Sequence, residues 1–148
     1  MTQNELTELF EYKDGNLLWK ISRGNRAKIG SIAGSYDNST KYRQVRLNKK
    51  KFYIHRLIWI YHYGEIENIY QVDHKDRNRL NNNIDNLRLL TEKQNKTNVM
   101  GSGVYKVGKK YMSLIGIDGK SKYLGIFKDK EDAKNKYTEH KKLILGAL

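Results

Sequence analysis

A chain of 148 residues has room for one ordinary domain or two small ones, and 38% hydrophobic residues with eleven tyrosines supply enough apolar mass to exclude global disorder. The absence of cysteine excludes disulfides and any zinc site built on thiolates. A formal charge of +13 points to a polyanionic partner, most often nucleic acid.

The charge is unevenly spread. Residues 1–52 carry eleven Lys/Arg against five Asp/Glu, a net of +6. Residues 53–98 carry seven against six, a net of +1, and residues 99–148 return to eleven against five, again +6. Phosphate grip is therefore expected from the two flanks and chemistry from the nearly neutral middle. The opening MTQNELTELF lacks the regions of a signal peptide, and no apolar run is long enough for a bilayer. The expectation is a soluble protein of the cytoplasm with no membrane partner.

In chain order, LTELFEY predicts an opening helix from the spacing of Leu6, Leu9 and Phe10, followed by a turn at Asp14-Gly15. Leu17 to Ile21 predicts a strand, and Ser22 to Lys41 a loop or weak strands. Tyr42 to Leu47 and Phe52 to Ile54 predict two strands joined across the basic turn NKKK. HRLIWIYHYG predicts an apolar helix stopped by Gly64. Ile69 to His74 and Leu87 to Leu90 predict two short strands around an asparagine-rich turn. Thr91-Glu92-Lys93-Gln94 then has the form of a capping box, so a helix is expected from Glu92 with Asn95 on its first turn. Past Gly101-Ser102-Gly103, the runs GVYKV, KKYMSLIGI and KYLGIF predict three strands. A last helix capped by Asp129 would place Ala133, Tyr137 and Ile144 on one face.

The segment VDHKDRNRLNNNIDNLRLLTEKQNKTN carries the chemistry. Phosphodiester hydrolysis needs a base to activate water, and a neutral imidazole near pH 7 suits that task. It also needs stabilisation of charge on phosphate, for which a hard divalent cation held by carboxylate and amide oxygens is suited. His74 is the candidate base, and Asp73 with Asn95 the candidate oxygen ligands. Because neighbours on a strand face opposite sides, the strand must end or distort where Asp73 and His74 meet.

The run HRLIW…VDHKD…NNNIDNLRLLTEKQNKTN resembles the HNH endonucleases of the phage and intron-homing branch. The resemblance implies a ββα-metal fold, with the metal-binding aspartate at Asp73, the general base at His74, and at Asn86 the catalytic-site asparagine that helps fix the loop and orient the base. It puts the second ligand at Asn95, with Asn98 as the alternative if the helix register shifts by a turn. It also implies magnesium or manganese, one ion per site, and 5′-phosphate and 3′-hydroxyl products. His55, His62 and His140 are read as structural or surface residues, with a phosphate contact as the alternative for His55, and Arg77 and Arg79 as candidate phosphate clamps after the base.

GVYKVGKKYMSLIGIDGKSKYLGIFKDKEDAKNKYTEHKKL resembles the Apetala-type DNA-binding domain, in which the open face of a three-stranded sheet lies in the major groove. Alternation would turn Tyr111, Ser113 and Ile115 to the helix, and Lys110, Met112 and Leu114 outward. Tyr105 and Tyr123 match outward positions, and Lys106, Lys109, Lys110, Lys120 and Lys122 are expected on phosphates. Met112 and Leu114 depart from that family's more polar base-reading side chains.

The whole is read as an α+β, metal-dependent endonuclease of double-stranded DNA. Residues 1–98 would form the nuclease region (a basic extension 1–52 and an HNH core 53–98), and residues 99–148 the DNA anchor. Two rivals are a DNA-binding regulator with an inactive nuclease fold and an RNA-binding accessory protein.

Overall fold

The computed structural model describes residues 1–25, 27–97, 103–117 and 120–145. Asn98, the linker residues Gly101 and Ser102 and the Asp118-Gly119 turn lie outside the described residues. The chain divides into two units, Met1–Leu89 and Leu90–Leu148.

In the first unit, Thr2 caps α1 (Gln3–Leu9). Its hydroxyl accepts from the Glu5 amide at 3.3 Å, and the Glu5 carboxylate accepts from the Thr2 amide at 2.7 Å. The helix ends at Leu9, short of the expected LTELFEY. Phe10–Lys13 is instead strand β1, paired antiparallel with β2 (Asn16–Trp19). Two forces override the helical spacing. Asp14 and Gly15 both have positive φ (47° and 76°), the geometry of a two-residue hairpin turn. Cross-strand pairing also sets Phe10 opposite Trp19, with ring centroids 4.7 Å apart in the core.

Strands β3 (Ser35–Asp37), β4 (Tyr42–Leu47) and β5 (Lys50–Tyr53) form an antiparallel sheet. The β4–β5 turn falls on Asn48-Lys49, both at positive φ, within the basic run anticipated from sequence. Val45 and Leu47 face the core, so Tyr42, Gln44 and Arg46 occupy the other face, in register with Tyr53 and Lys51. Helix α2 (Ile54–Tyr63) starts directly from β5 and buries Ile54, His55, Leu57 and Ile58. Its last turn is closed by the Gly64 amide donating to the Ile60 carbonyl at 2.9 Å. Strands β6 (Tyr70–His74) and β7 (Leu87–Thr91) make a two-stranded sheet. Residues 75–86 connect them and end in a short 3₁₀ turn (Ile84–Asn86) that periodicity did not anticipate.

In the second unit, α3 (Glu92–Thr97) begins with the expected capping box. The Thr91 hydroxyl accepts from the Gln94 amide at 3.2 Å, and the Gln94 side-chain oxygen accepts from the Thr91 amide at 2.8 Å. Strands β8 (Val104–Val107), β9 (Lys110–Ile117) and β10 (Lys120–Phe127) form an antiparallel sheet with β9 central. Helix α4 (Lys130–Leu145) packs on it through Ala133 and Leu145, over the fully buried Ser113 and Ile115. The Tyr137 ring lies where a β-carbon on Gly103 would stand, and Gly103 also has φ 54°, so this close approach requires glycine.

Candidate active site

The asparagines between β6 and β7 form the frame of the loop. Asp76 is its hub. One carboxylate oxygen accepts from the Asn78 amide (2.8 Å) and the Asn86 side chain (2.9 Å), and the other from the Asn81 side chain (2.7 Å). Asn86 returns the contact, its side-chain oxygen accepting from the Asp76 amide at 3.1 Å and its NH₂ donating to the Asn81 carbonyl at 2.8 Å. Asn78 and Asn83 each accept from the amide two residues on, at 3.1 Å. Asparagine suits such a loop because its short amide replaces missing backbone partners in turns. The Asn81 hydrogen bond, then that of Asn86, hold the Asp76 carboxyl below the usual carboxylate range.

His74 is the last residue of β6, and the strand keeps its alternation through Asp73 and His74. The ring is 3% exposed and its Nε2 stands 2.9 Å from the side-chain oxygen of Asn82, which is itself 4% exposed. His74 lies among rings: His55 at 5.1 Å and Tyr42 at 6.1 Å between centroids. Tyr42 and Tyr53 also flank His55, at 4.8 Å and 5.5 Å. Burial, then the neighbouring His74 and Arg56, push His55 down to about 3, so it is neutral at ordinary pH. His55 thus packs its ring against that of His74. His62 likewise bonds locally, its Nδ1 2.9 Å from the Ile58 carbonyl.

Burial alternates along β6, with Val72 and His74 buried and Asp73 between them partly exposed. One oxygen of Asp73 receives both Nε and an Nη of Arg88 on β7, each at 2.9 Å. Arg88 and Asp73 thus form an ion pair, with Asp73 next to His74 on β6. No group of three His, Asp or Glu residues suited to a metal occurs among the described residues. Beside the His74 imidazole, the segment offers the Asp73 carboxylate and several asparagine amide oxygens, donors of the kind that hard cations such as magnesium take.

Asn86 closes the 3₁₀ turn and Asn95 lies on α3 in the second unit. Arg77 is exposed at φ 64°, and its amide donates to the His74 carbonyl at 3.0 Å. Arg79 is docked: it donates to the Thr40 carbonyl at 3.2 Å and stacks its guanidinium over Tyr42 at 4.8 Å. The second unit exposes Tyr105 and Tyr123, at 55% and 57%. They pair with Met112 and Leu114, hence lie on the open face with Lys110. Lys106 and Lys122 pair instead with Tyr111 and Ile115, on the side that α4 covers, although both remain exposed at the sheet edges; Lys109 is in the β8–β9 turn.

Asn82, Arg88, Tyr42 and Asp76 were not singled out by sequence reasoning. Asn82 is one of three consecutive asparagines, and nothing local distinguishes the buried one. Arg88 alternates with apolar neighbours in LRLL, which marks it as facing away from Leu87 but does not name Asp73 as its partner.

Residues 52–97 match the family described as HNH endonuclease, a span that includes Asp73, His74, Asn82, Asn86 and Asn95. The chain is similar to DNA endonuclease I-HmuI of Bacillus phage SP01, 43% identical over 103 residues, which are 69% of this chain and 52% of that protein. The chain thus spans about half the length of that relative. No solved structure matches. No helix among the described residues is long and apolar enough to cross a membrane. The strand pair, its asparagine-framed loop and the helix that follows all lie within the segment that matches the HNH endonuclease family.

Proposed function

We propose that the protein is a metal-dependent endonuclease acting on double-stranded DNA, with His74 as general base. The observation that carries this reading is the buried His74, hydrogen-bonded through Nε2 to Asn82, next to the Arg88-paired Asp73, inside the segment that matches the nuclease family. With Nε2 engaged, Nδ1 is the nitrogen that takes a proton from water. The new bond forms between that oxygen and phosphorus while the bond to the 3′ oxygen breaks, and the leaving oxygen is protonated by solvent. The products carry 5′-phosphate and 3′-hydroxyl ends.

Asp73 would hold the cation, with Asn95 as its amide partner by family resemblance and spacing along the chain. Magnesium or manganese there would supply Lewis-acid stabilisation of the charge that builds on the phosphate. Asn86 keeps the loop after the base in shape. Arg77 and Arg79 follow the base as candidate phosphate contacts, although Arg79 must leave or share its stack on Tyr42 to reach one. Tyr105, Lys106, Lys109, Lys110, Lys122 and Tyr123 form the candidate DNA anchor, in an Apetala-type sheet-and-helix module.

Cleavage of plasmid and linear duplex with magnesium, with and without excess chelator, tests the reading. Cutting that stops on chelation and returns on adding magnesium is expected. In His74→Ala, cleavage should fall by on the order of 10²–10⁴ with DNA affinity nearly intact, because a neutral base acts on the transition state and not on phosphate grip. Tight binding with no cleavage by the wild-type protein would favour the regulator with an inactive fold.

A further inference from the structure

We infer that Asn82 is a positioning residue that holds His74 with its proton on Nε2, so that Nδ1 presents the basic lone pair. We further infer that the β1–β2 hairpin holds Asn82 in place. The inference rests on His74 being the base, but its geometric half stands without that reading.

An amide oxygen can only accept a hydrogen bond, so the imidazole nitrogen 2.9 Å from the Asn82 oxygen must donate. In a neutral ring that fixes which nitrogen is basic, because the partner of one nitrogen decides the state of the other. Both side chains are almost fully buried, so water does not compete for the bond. A leucine of similar volume at residue 82 would pack there yet leave the ring free to take either tautomer and to rotate.

Asn82 is gripped on both sides along the chain. On one side, Asn81 is tied by its side chain to Asp76 and by its carbonyl to Asn86. On the other, the Ile84 amide donates to the Tyr12 hydroxyl at 3.1 Å, a contact between the loop and β1 across 72 residues of sequence. Gly15, in the hairpin turn, packs directly on the loop backbone. A β-carbon there would stand 2.8 Å from the Asn83 nitrogen and 3.1 Å from the Asn82 carbonyl carbon, and its φ of 76° is itself unfavourable for other residues. The N-terminal hairpin is therefore a buttress that keeps the backbone at residue 82 at one distance from His74.

Two measurements on the full-length protein test this. Long-range ¹H–¹⁵N correlation spectra of the imidazoles report which nitrogen of His74 carries the proton, without any need for activity. Wild type is expected to show Nε2–H; an Nδ1–H spectrum would overturn the inference at once. Asn82→Leu should give mixed tautomers and lower kcat by on the order of 10² or more at unchanged KM for duplex DNA. Asn82→Asp, which keeps an acceptor oxygen, should restore Nε2–H and most of kcat. Tyr12→Phe, outside the base pocket, should lower kcat by less, again at constant KM. Asn82→Leu with wild-type kcat and a single Nε2–H tautomer would overturn the proposal. If Asn82→Leu does not fold, the wild-type spectrum and Tyr12→Phe still decide. If wild type binds but never cuts DNA, the functional reading falls while the spectra continue to test the positioning role.

Discussion

His55 shows how one buried side chain ties the site to pH. Tyr42, Tyr53 and His74 surround it, and burial is the first cause of its depression to about 3. Between pH 6.5 and 3 the unfolded chain binds a proton at this position that the folded one refuses. Its contribution is therefore fully present above 6.5 and is lost as pH falls through that window, at up to about 1.4 kcal/mol per pH unit for one proton. Urea unfolding between pH 7 and 4 should show a shallower acid limb for His55→Phe than for wild type; parallel limbs would mean that His55 protonates freely in the folded protein. Asp73 is tested at the same scale. Removing its carboxylate removes a full charge, so Asp73→Ala should raise the magnesium concentration for half-maximal cleavage more than Asn95→Ala does. Equal magnesium dependence in wild type and Asp73→Ala would reject Asp73 as the ligand.

At the scale of elements, the loop from Lys75 to Asn86 owes its shape to side chains more than to backbone ladders. Asn86→Ala removes one partner of the Asp76 carboxylate and the side-chain partners of the Asp76 amide and the Asn81 carbonyl. The expected cost is about 1–2 kcal/mol in stability, with faster amide exchange at Asp76. Unchanged exchange there would mean that backbone alone sets the loop. This dependence also explains what was legible beforehand. The strands before and after the loop, the capping box at Thr91 and the α2 stop at Gly64 depend on nearby residues, and the local pattern reveals them. The 3₁₀ turn, the Asn82 bond to His74 and the Arg88 pair with Asp73 depend on which asparagine turns inward and which strand neighbour arrives. Only folded geometry sets those. The helix over LTELFEY was misread at Phe10 for the same reason, because Trp19 across the hairpin outweighs helical spacing.

At the scale of the whole molecule, the proposed DNA binding should depend steeply on salt through the two +6 flanks, since each phosphate contact contributes roughly −0.9 to the log–log slope. The sheet register divides the lysines of the second unit in a way that makes this testable. Lys110 lies on the open face with Tyr105 and Tyr123, and Lys109 sits in the adjoining turn, whereas Lys106 and Lys122 belong to the face that α4 covers. If the open face lies on the duplex, changing Lys109 and Lys110 together to glutamine should make the slope shallower by about 1.8. Changing Lys106 and Lys122 should change it less, because their register puts them on the opposite face of the sheet. None of these changes touches Asp73 or His74, so kcat at saturating DNA and low salt should stay at the wild-type value. Salt titrations of duplex binding for wild type and the two double variants separate the alternatives. Equal losses from both pairs would show that the lysines act as a diffuse cloud of charge, and an unchanged slope in both would remove the second unit from the DNA interface.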